Sequence, residues 1–359
     1  ILMIVIFMKI KSWHKLCLLV VSLFLTLTEI RAATLSNYDV GELVVSISYI
    51  FKLVSIYAII FYVVSGIAVK EINVKKIVSM TLLIYVSAVL IGTVSGSYYT
   101  TYGGLGSSGW LIKGSANSLS MVYLLAGFVS LMYLEKLNVL LRLGVVIAYI
   151  VSSSMLLTKG AIVASLLSVW LYLKRKVSHL PVWALINVLA AGLIAWMVLP
   201  FVLEVNILRR IKTVYEYYDE NILYVLLSGR QEHLVAAMKI FVEFTYLDWI
   251  VGYGYERFRT EMSYVFGQII GVEIDPVDLI AANGIIVSIF YFYLIFSLYR
   301  YGLKNITGSF EYRFIFLSTM VLSVFAGHVL FSGMAGHLLA LFVAAFIQLN
   351  SKNENSSYK

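Results

Sequence analysis

Long apolar runs separated by short polar breaks set the pattern of this chain. A helix rises about 1.5 Å per residue, so about 20 apolar residues cross the hydrocarbon core of a bilayer. On that measure the pattern predicts spans near 14–31, 43–69, 77–97, 116–134, 137–157, 159–173, 181–203, 277–299, 313–331 and 335–349. Only Thr158 and Lys159 separate the fifth from the sixth, and the last is short enough to be tilted or re-entrant. Residues 204–276 interrupt the rhythm with one long polar segment. The expected fold is an all-α polytopic membrane protein with about ten transmembrane helices and one large external loop containing amphipathic helices. Its parts are about seven spans over 1–203, the loop at 204–276, and about three spans with a short tail over 277–359.

Composition strengthens this picture. Of 359 residues, 61% are hydrophobic and only 13% charged, with a mean hydropathy of +0.92. A soluble domain carries about 25% charged residues. Three prolines suit long uninterrupted helices, and the single cysteine, Cys17, excludes an internal disulfide and any Cys-based metal site.

The net charge of +8 sits in short clusters between apolar runs, which points to membrane topology rather than to nucleic acid. One set of connections holds Lys9, Lys11, Lys15, Lys70, Lys75, Lys76, Lys136, Arg142, Lys174, Arg175, Lys176, Arg300, Lys304, Arg313, Lys352 and Lys359. The short connections on the other side hold Arg31, Lys113 and Lys159. By the positive-inside rule both termini are expected in the cytoplasm and the 98–115 and 204–276 loops outside. Lys9, Lys11 and Lys15 followed by an apolar run at 16–28 also fit a signal peptide. The spans that follow at once favour a retained first helix.

Chemistry concentrates in the large loop. Twelve of the nineteen Asp and Glu fall between Glu204 and Asp278, with seven Lys and Arg among them. Ser228 with Gln231 three residues on reads as a capping box, and Leu234, Met238, Phe241 and Val242 recur at helical spacing. A helix start beside Arg230 suits a phosphate, although an ordinary cap with a solvated arginine explains the same residues. In VGYGYERFRTEM, Gly252 and Gly254 permit a tight turn before a helix from Tyr255 to Phe266. Arg257 and Glu261 sit at i, i+4 and form a surface ion pair on the plainest reading, whereas Arg259 lacks a partner at i+4. Two arginines beside an aromatic turn could also clamp an anionic group.

Glu273, Asp275 and Asp278 stand where the chain re-enters the membrane, where carboxylates are costly unless paired or functional. One of them could serve as a general base. The spacing of these acids and the nearby histidines matches no metal site, and no cofactor is expected. His328 and His337 flank the external end of the last helix pair, where a hydrogen-bonded structural role competes with a catalytic one. Lys52 falls inside the second span, and Lys159 opens a tight external turn.

With those residues in place, the chain resembles the O-antigen polymerase and ligase superfamily of bacterial lipid-linked glycan transferases. The likeness rests on TKGA with Lys159, on SGR with Ser228, Gly229 and Arg230, on GYGYERF, on EIDPVDLIAANGII, and on the AGH that contains His328. It covers roughly residues 150–345, and the first 150 match only as membrane spans. The resemblance implies a metal-independent glycosyltransferase of the inner membrane, acting on undecaprenyl-diphosphate-linked glycans at the periplasmic face. It also implies a chain-length regulator as partner. Ligases of the superfamily tend to carry a His-Asn pair before the re-entering helix and a Glu just before its Gly. Here Glu273-Ile274 and Ala282 stand in those places, which favours the polymerase. The expected roles are Arg230, Arg257, Arg259 and Lys159 for the diphosphate, and Glu273, Asp275 or His328 for the acceptor hydroxyl. The alternatives are the ligase reaction and, from another class, a flippase or exporter.

Overall fold

The structure, a computed structural model, describes residues 2–101, 106–110, 116–156, 158–176, 216, 230–266, 271–306, 309–325, 327, 330 and 332–354. Its helices are α1 (Leu2–Lys9), α2 (Ser12–Ser36), α3 (Val40–Val64), α4 (Ile67–Glu71), α5 (Val74–Val94), α6 (Ala116–Tyr133), α7 (Val139–Met155) and α8 (Lys159–Lys176). They continue as α9 (Arg230–Val242), α10 (Tyr246–Val251), α11 (Tyr255–Phe266), α12 (Asp275–Asn305), α13 (Phe310–Phe325) and α14 (Ala335–Glu354). The expected spans within the described residues fall on these helices, except that 43–69 is broken at Ser65–Gly66 between α3 and α4 and 313–331 is helical only as far as Phe325; the span at 181–203 lies outside the described residues. Four helices, α2, α3, α5 and α12, are long and apolar enough to cross a membrane, and several shorter helices are also apolar. The protein is therefore a helical membrane protein.

The chain divides into two compact units, Ile1–Val74 with Gly229–Lys359, and Lys75–Ser228. In the second unit, α6 packs on α7 and α8 through small and hydroxylated residues. Tyr123 Oη donates to Ser152 Oγ at 2.8 Å, Ser153 pairs with Ser165 at 2.8 Å, and Ser168 Oγ donates to the Leu124 carbonyl at 3.2 Å. Such bonds hold helices together where lipid supplies no hydrophobic drive between them. Thr100–Thr101 and Gly106–Ser107 form a two-residue antiparallel ladder.

The first unit carries most of the expected chemistry. Helix α2 stops where Asn37 takes a left-handed conformation (φ 50°), and Asp39 starts α3 with a capping box closed by Glu42. The two helices thus return on one another as an antiparallel pair. Helix α12 runs alongside α3, with Asn283 bonded to Tyr49 and the Tyr291 ring 5.3 Å from that of Tyr57. Helix α14 adds a third neighbour through Ser55 and His337. At one end of this unit Lys9 pairs with Glu71, and Gln348 donates to the Val69 and Ile72 carbonyls. The opposite end carries α9, α10 and α11.

Helix α12 is not continuous. Gly284 leaves helical geometry (φ 71°, ψ 177°), separating a short N-terminal piece from the apolar remainder. A break frees carbonyls that must find donors in an apolar setting. The turn between α10 and α11 supplies them: the Tyr253 amide donates to the Ala281 carbonyl at 2.9 Å and the Gly254 amide to Ala282 at 3.1 Å. Gly252 (φ 109°) and Gly284 face one another so closely that a Cβ on Gly284 would lie 2.4 Å from the Ile250 carbonyl oxygen. Both adopt a region that essentially only glycine occupies.

Candidate functional site

Helix α9 buries Ala236, Ala237 and Ile240 with Leu234 and Phe241 beside them, against Tyr253, Phe258, Met262, Val272 and Ala281. Of the positions expected to form its apolar face, Met238 and Val242 point outward instead. The small Ala236 and Ala237 permit the closer approach, which hydrophobicity alone does not rank. The proposed Ser228 cap lies outside the described residues.

Arg230 opens α9 and is buried. Its Nε donates to the Glu273 carbonyl at 3.0 Å and its Nη2 to Glu273 Oε2 at 2.8 Å. The structure therefore joins two expected site residues in one ion pair. Glu273 itself sits in the left-handed region (φ 60°), a conformation costly for a residue with a Cβ. The two Arg230 bonds hold it there, and Gly327 packs on its carbonyl with no room for a side chain.

Asp275 is buried at the start of α12, where its Oδ2 accepts the Leu330 amide at 2.6 Å. The Tyr291 hydroxyl donates to the carbonyl of the same Leu330. Asp278 Oδ1 accepts the Val272 amide at 2.7 Å and closes the 272–278 turn. These two carboxylates hold backbone, whereas Glu273 holds a cation.

The remaining arginines lie on tyrosines. The Arg257 guanidinium is 3.8 Å from the Tyr253 ring centroid, and its buried Nε has no hydrogen-bond partner. It does not pair with Glu261 among the described residues. Arg259 instead finds a partner one turn back, donating to Glu256 Oε2 at 2.8 Å, and lies 5.3 Å from the Tyr255 ring. The helix presents Phe258 and Met262 to the core, which tips Glu256 inward. Burial holds the Glu256 carboxyl above the usual carboxylate range, with Arg259 opposing the shift.

Tyr255 stacks flat on Tyr49 of α3, with centroids 3.9 Å apart and planes within 4°. Lys52, one turn along α3, places its Nζ 5.0 Å from Tyr49 and 5.5 Å from Tyr255. Lys52 and Arg259 thus meet at the stacked Tyr49–Tyr255 pair, whereas Arg257, two residues before Arg259 and so about 200° around α11, lies on Tyr253. Cations over aromatic faces keep their positive charge directed outward while the ring partly replaces lost hydration. Ser55 and His337 hydrogen-bond at 2.6 Å on the neighbouring turn.

No protein-family model, curated protein or solved structure matches the chain. The site is therefore read from its own groups. Among the described residues, no group of three or more His, Cys, Asp or Glu is placed to hold a metal ion. His328 lies outside the described residues. Lys159 begins α8 in the other unit, and its side chain is likewise outside the described set.

Two acidic residues escaped the sequence reading. Asp248 on α10 receives Arg31 Nη2 at 2.5 Å, while Arg31 Nη1 donates to the Gly252 carbonyl at 3.0 Å and Thr28 to Val251 at 2.8 Å. Together these tie the end of α2 to α10 and the turn that follows it. Burial pushes the Asp248 carboxyl up, but hydrogen bonds from Thr245 and Arg31 outweigh it and hold the group below its ordinary range. Glu29 lies inside α2, where its Oε1 accepts the Tyr255 amide at 2.6 Å and caps α11. A carboxylate within an apolar span is itself a signal, as Lys52 is in the second span.

Proposed function

We propose that this protein is a surface-polysaccharide polymerase, joining undecaprenyl-diphosphate-linked repeat units by metal-independent glycosyl transfer. The observation that carries the reading is Arg257, whose guanidinium lies on Tyr253 with a buried Nε that lacks a hydrogen-bond partner. A diphosphate leaving group gains negative charge as the glycosidic bond breaks, and fixed guanidinium groups can stabilise that charge without a metal. In this reading Arg257 faces the diphosphate, and Arg259 and Lys52 contribute positive field from the Tyr49–Tyr255 stack. Arg230 positions Glu273, whose carboxylate orients the acceptor hydroxyl. Asp275 holds the re-entering backbone. The chain would cross the inner membrane about ten times, with both termini cytoplasmic, α9–α11 at the periplasmic surface, and a chain-length regulator as partner.

The test is the polysaccharide made by a deletion strain carrying Arg257→Ala. Loss of long chains with single repeat units retained, at normal protein abundance in the membrane, is the expected outcome. Finished polymer left on undecaprenyl diphosphate would instead identify the ligase reaction. Full-length chains from a double Arg257→Ala, Arg259→Ala variant would sink the assignment.

A further inference from the structure

Two membrane-length helices fix how deep α10 lies. Helices α2 and α3 have 25 residues each and turn back on one another between Ser36 and Val40. Each is about 37 Å long, against a hydrocarbon core of about 30 Å. Even with the whole excess at the Ser36–Val40 end, each would emerge there by only about 7 Å.

The chain after α9 meets both helices below that level. Thr28 donates to the Val251 carbonyl at 2.8 Å, and Tyr49 stacks on Tyr255. Thr28 lies eight residues before the end of α2 and Tyr49 nine after the start of α3, so both stand about 12–14 Å in from that end. The contacts of α10 step inward in the same direction. Asp248 meets Arg31, and Val251, three residues on, meets Thr28. Helix α10 therefore descends along α2, with Tyr246 nearest the helix end and Val251 deepest.

Its groups suit that level. Irregular backbone at membrane depth is tolerated only where protein satisfies it. The amides of Gly252, Tyr253, Gly254 and Tyr255 donate in turn to the Asp248, Ala281 and Ala282 carbonyls and to Glu29 Oε1. The charged side chain of α10, Asp248, is 3% exposed and paired with Arg31. Outward stand Tyr246, Leu247 and Ile250, which are 90%, 50% and 47% exposed. A surface helix in water turns its apolar residues in and its charge out, and α10 does the reverse. Over the same depth α2, to which it is bonded, exposes Leu23, Leu27 and Ile30.

We infer that α10 and the turn after it form a re-entrant element set below the headgroup boundary, whose outward residues Tyr246, Leu247 and Ile250 lie against the acyl chains of that leaflet. Tyr246 stands nearest the headgroups, the level at which tyrosines are enriched in membrane proteins. The placement is independent of which anion Arg257 meets.

The test uses the full chain in phosphatidylcholine nanodiscs, with its single cysteine removed by Cys17→Ser and one new cysteine at a time spin-labelled. The substitutions are Tyr246→Cys, Leu247→Cys and Ile250→Cys, with Leu27→Cys and Leu35→Cys on α2 as deep and shallow references. All five positions are exposed, so a label displaces no packing, and an unchanged melting temperature checks this. Should one label lower it, the other two α10 positions carry the comparison. Oxygen, which partitions into hydrocarbon, and a neutral nickel chelate, which stays in water, serve as relaxing agents. The ratio of oxygen to nickel collisions should rise from Tyr246 to Ile250, and Ile250 should read deeper than Leu35 and close to Leu27. Nickel-dominated relaxation at Leu247 and Ile250, beside a lipid-like Leu27, would place α10 in water and overturn the proposal. Exclusion of both agents at the α10 positions would mean that protein, from a second copy or elsewhere in this chain, covers the face, and would overturn it equally.

Discussion

The break in α12 makes a demanding prediction through Gly284→Ala. At φ 71° and ψ 177° an alanine is strained by about 1–3 kcal/mol. Its Cβ would stand 2.4 Å from the Ile250 carbonyl oxygen and 2.5 Å from the Gly252 nitrogen, and both contacts are backbone that cannot rotate aside. Relief requires the α10–α11 turn to withdraw, which breaks the Tyr253–Ala281 and Gly254–Ala282 hydrogen bonds. Each such bond contributes about 1 kcal/mol net, more where no water replaces it. The expected cost is about 3–5 kcal/mol, the sum of strain and lost bonds. Hydrogen exchange on the purified protein in detergent reads this directly, because the Tyr253 and Gly254 amides are the donors. Their exchange should quicken by about 100-fold or more, since about 1.4 kcal/mol corresponds to a factor of ten. Unchanged protection at both amides with an unchanged melting temperature would refute the crossing as a determinant of the fold.

Other perturbations separate support from chemistry. Arg230→Ala removes the partner of a carboxylate whose side chain is 31% exposed, so it should destabilise by about 2–3 kcal/mol, below the full cost of a buried pair. Reduced membrane abundance of Arg230→Ala, set against normal abundance of Arg257→Ala, would show that difference on a blot. Asp248→Asn should lower stability at neutral pH by about 1–2 kcal/mol through weakened bonds from Arg31 and Thr245. The Asp248 carboxyl lies lower in the folded state than in the unfolded one. Its contribution is therefore complete above the ordinary carboxylate value of about 3.9 and fades as pH falls through the depressed folded value. Protection of the α10 amides followed against pH should show that loss in the native chain and not in Asp248→Asn.

Membrane helices were legible in the sequence because their cause is local. A run of apolar residues must satisfy its own backbone bonds in lipid, and helix is the solution available to a single segment. The periods that place α2, α3, α5 and α12 follow from this, as does the helix after the Gly252–Gly254 turn. The acidic cluster at 273–278 and the basic residues of the loop were equally visible as types and positions. Their partners were not. Arg257 and Glu261 share a helix face, yet Arg257 turns to Tyr253 while Glu256 takes Arg259, because core packing of Phe258 and Met262 decides which way the helix rolls. Arg230 meets Glu273 across 43 residues, and Glu29 meets Tyr255 across 226, separations at which no spacing rule operates. The break at Gly284 belongs to the same class: the glycine is written in the chain, but its freed carbonyls are tolerable only because the turn after α10 arrives to donate to them. The sequence alone determined which segments form long apolar helices and where charge accumulates. Tertiary structure decided which charges pair and where a helix opens, because those outcomes depend on burial and satisfaction of polar groups brought together from distant parts of the chain.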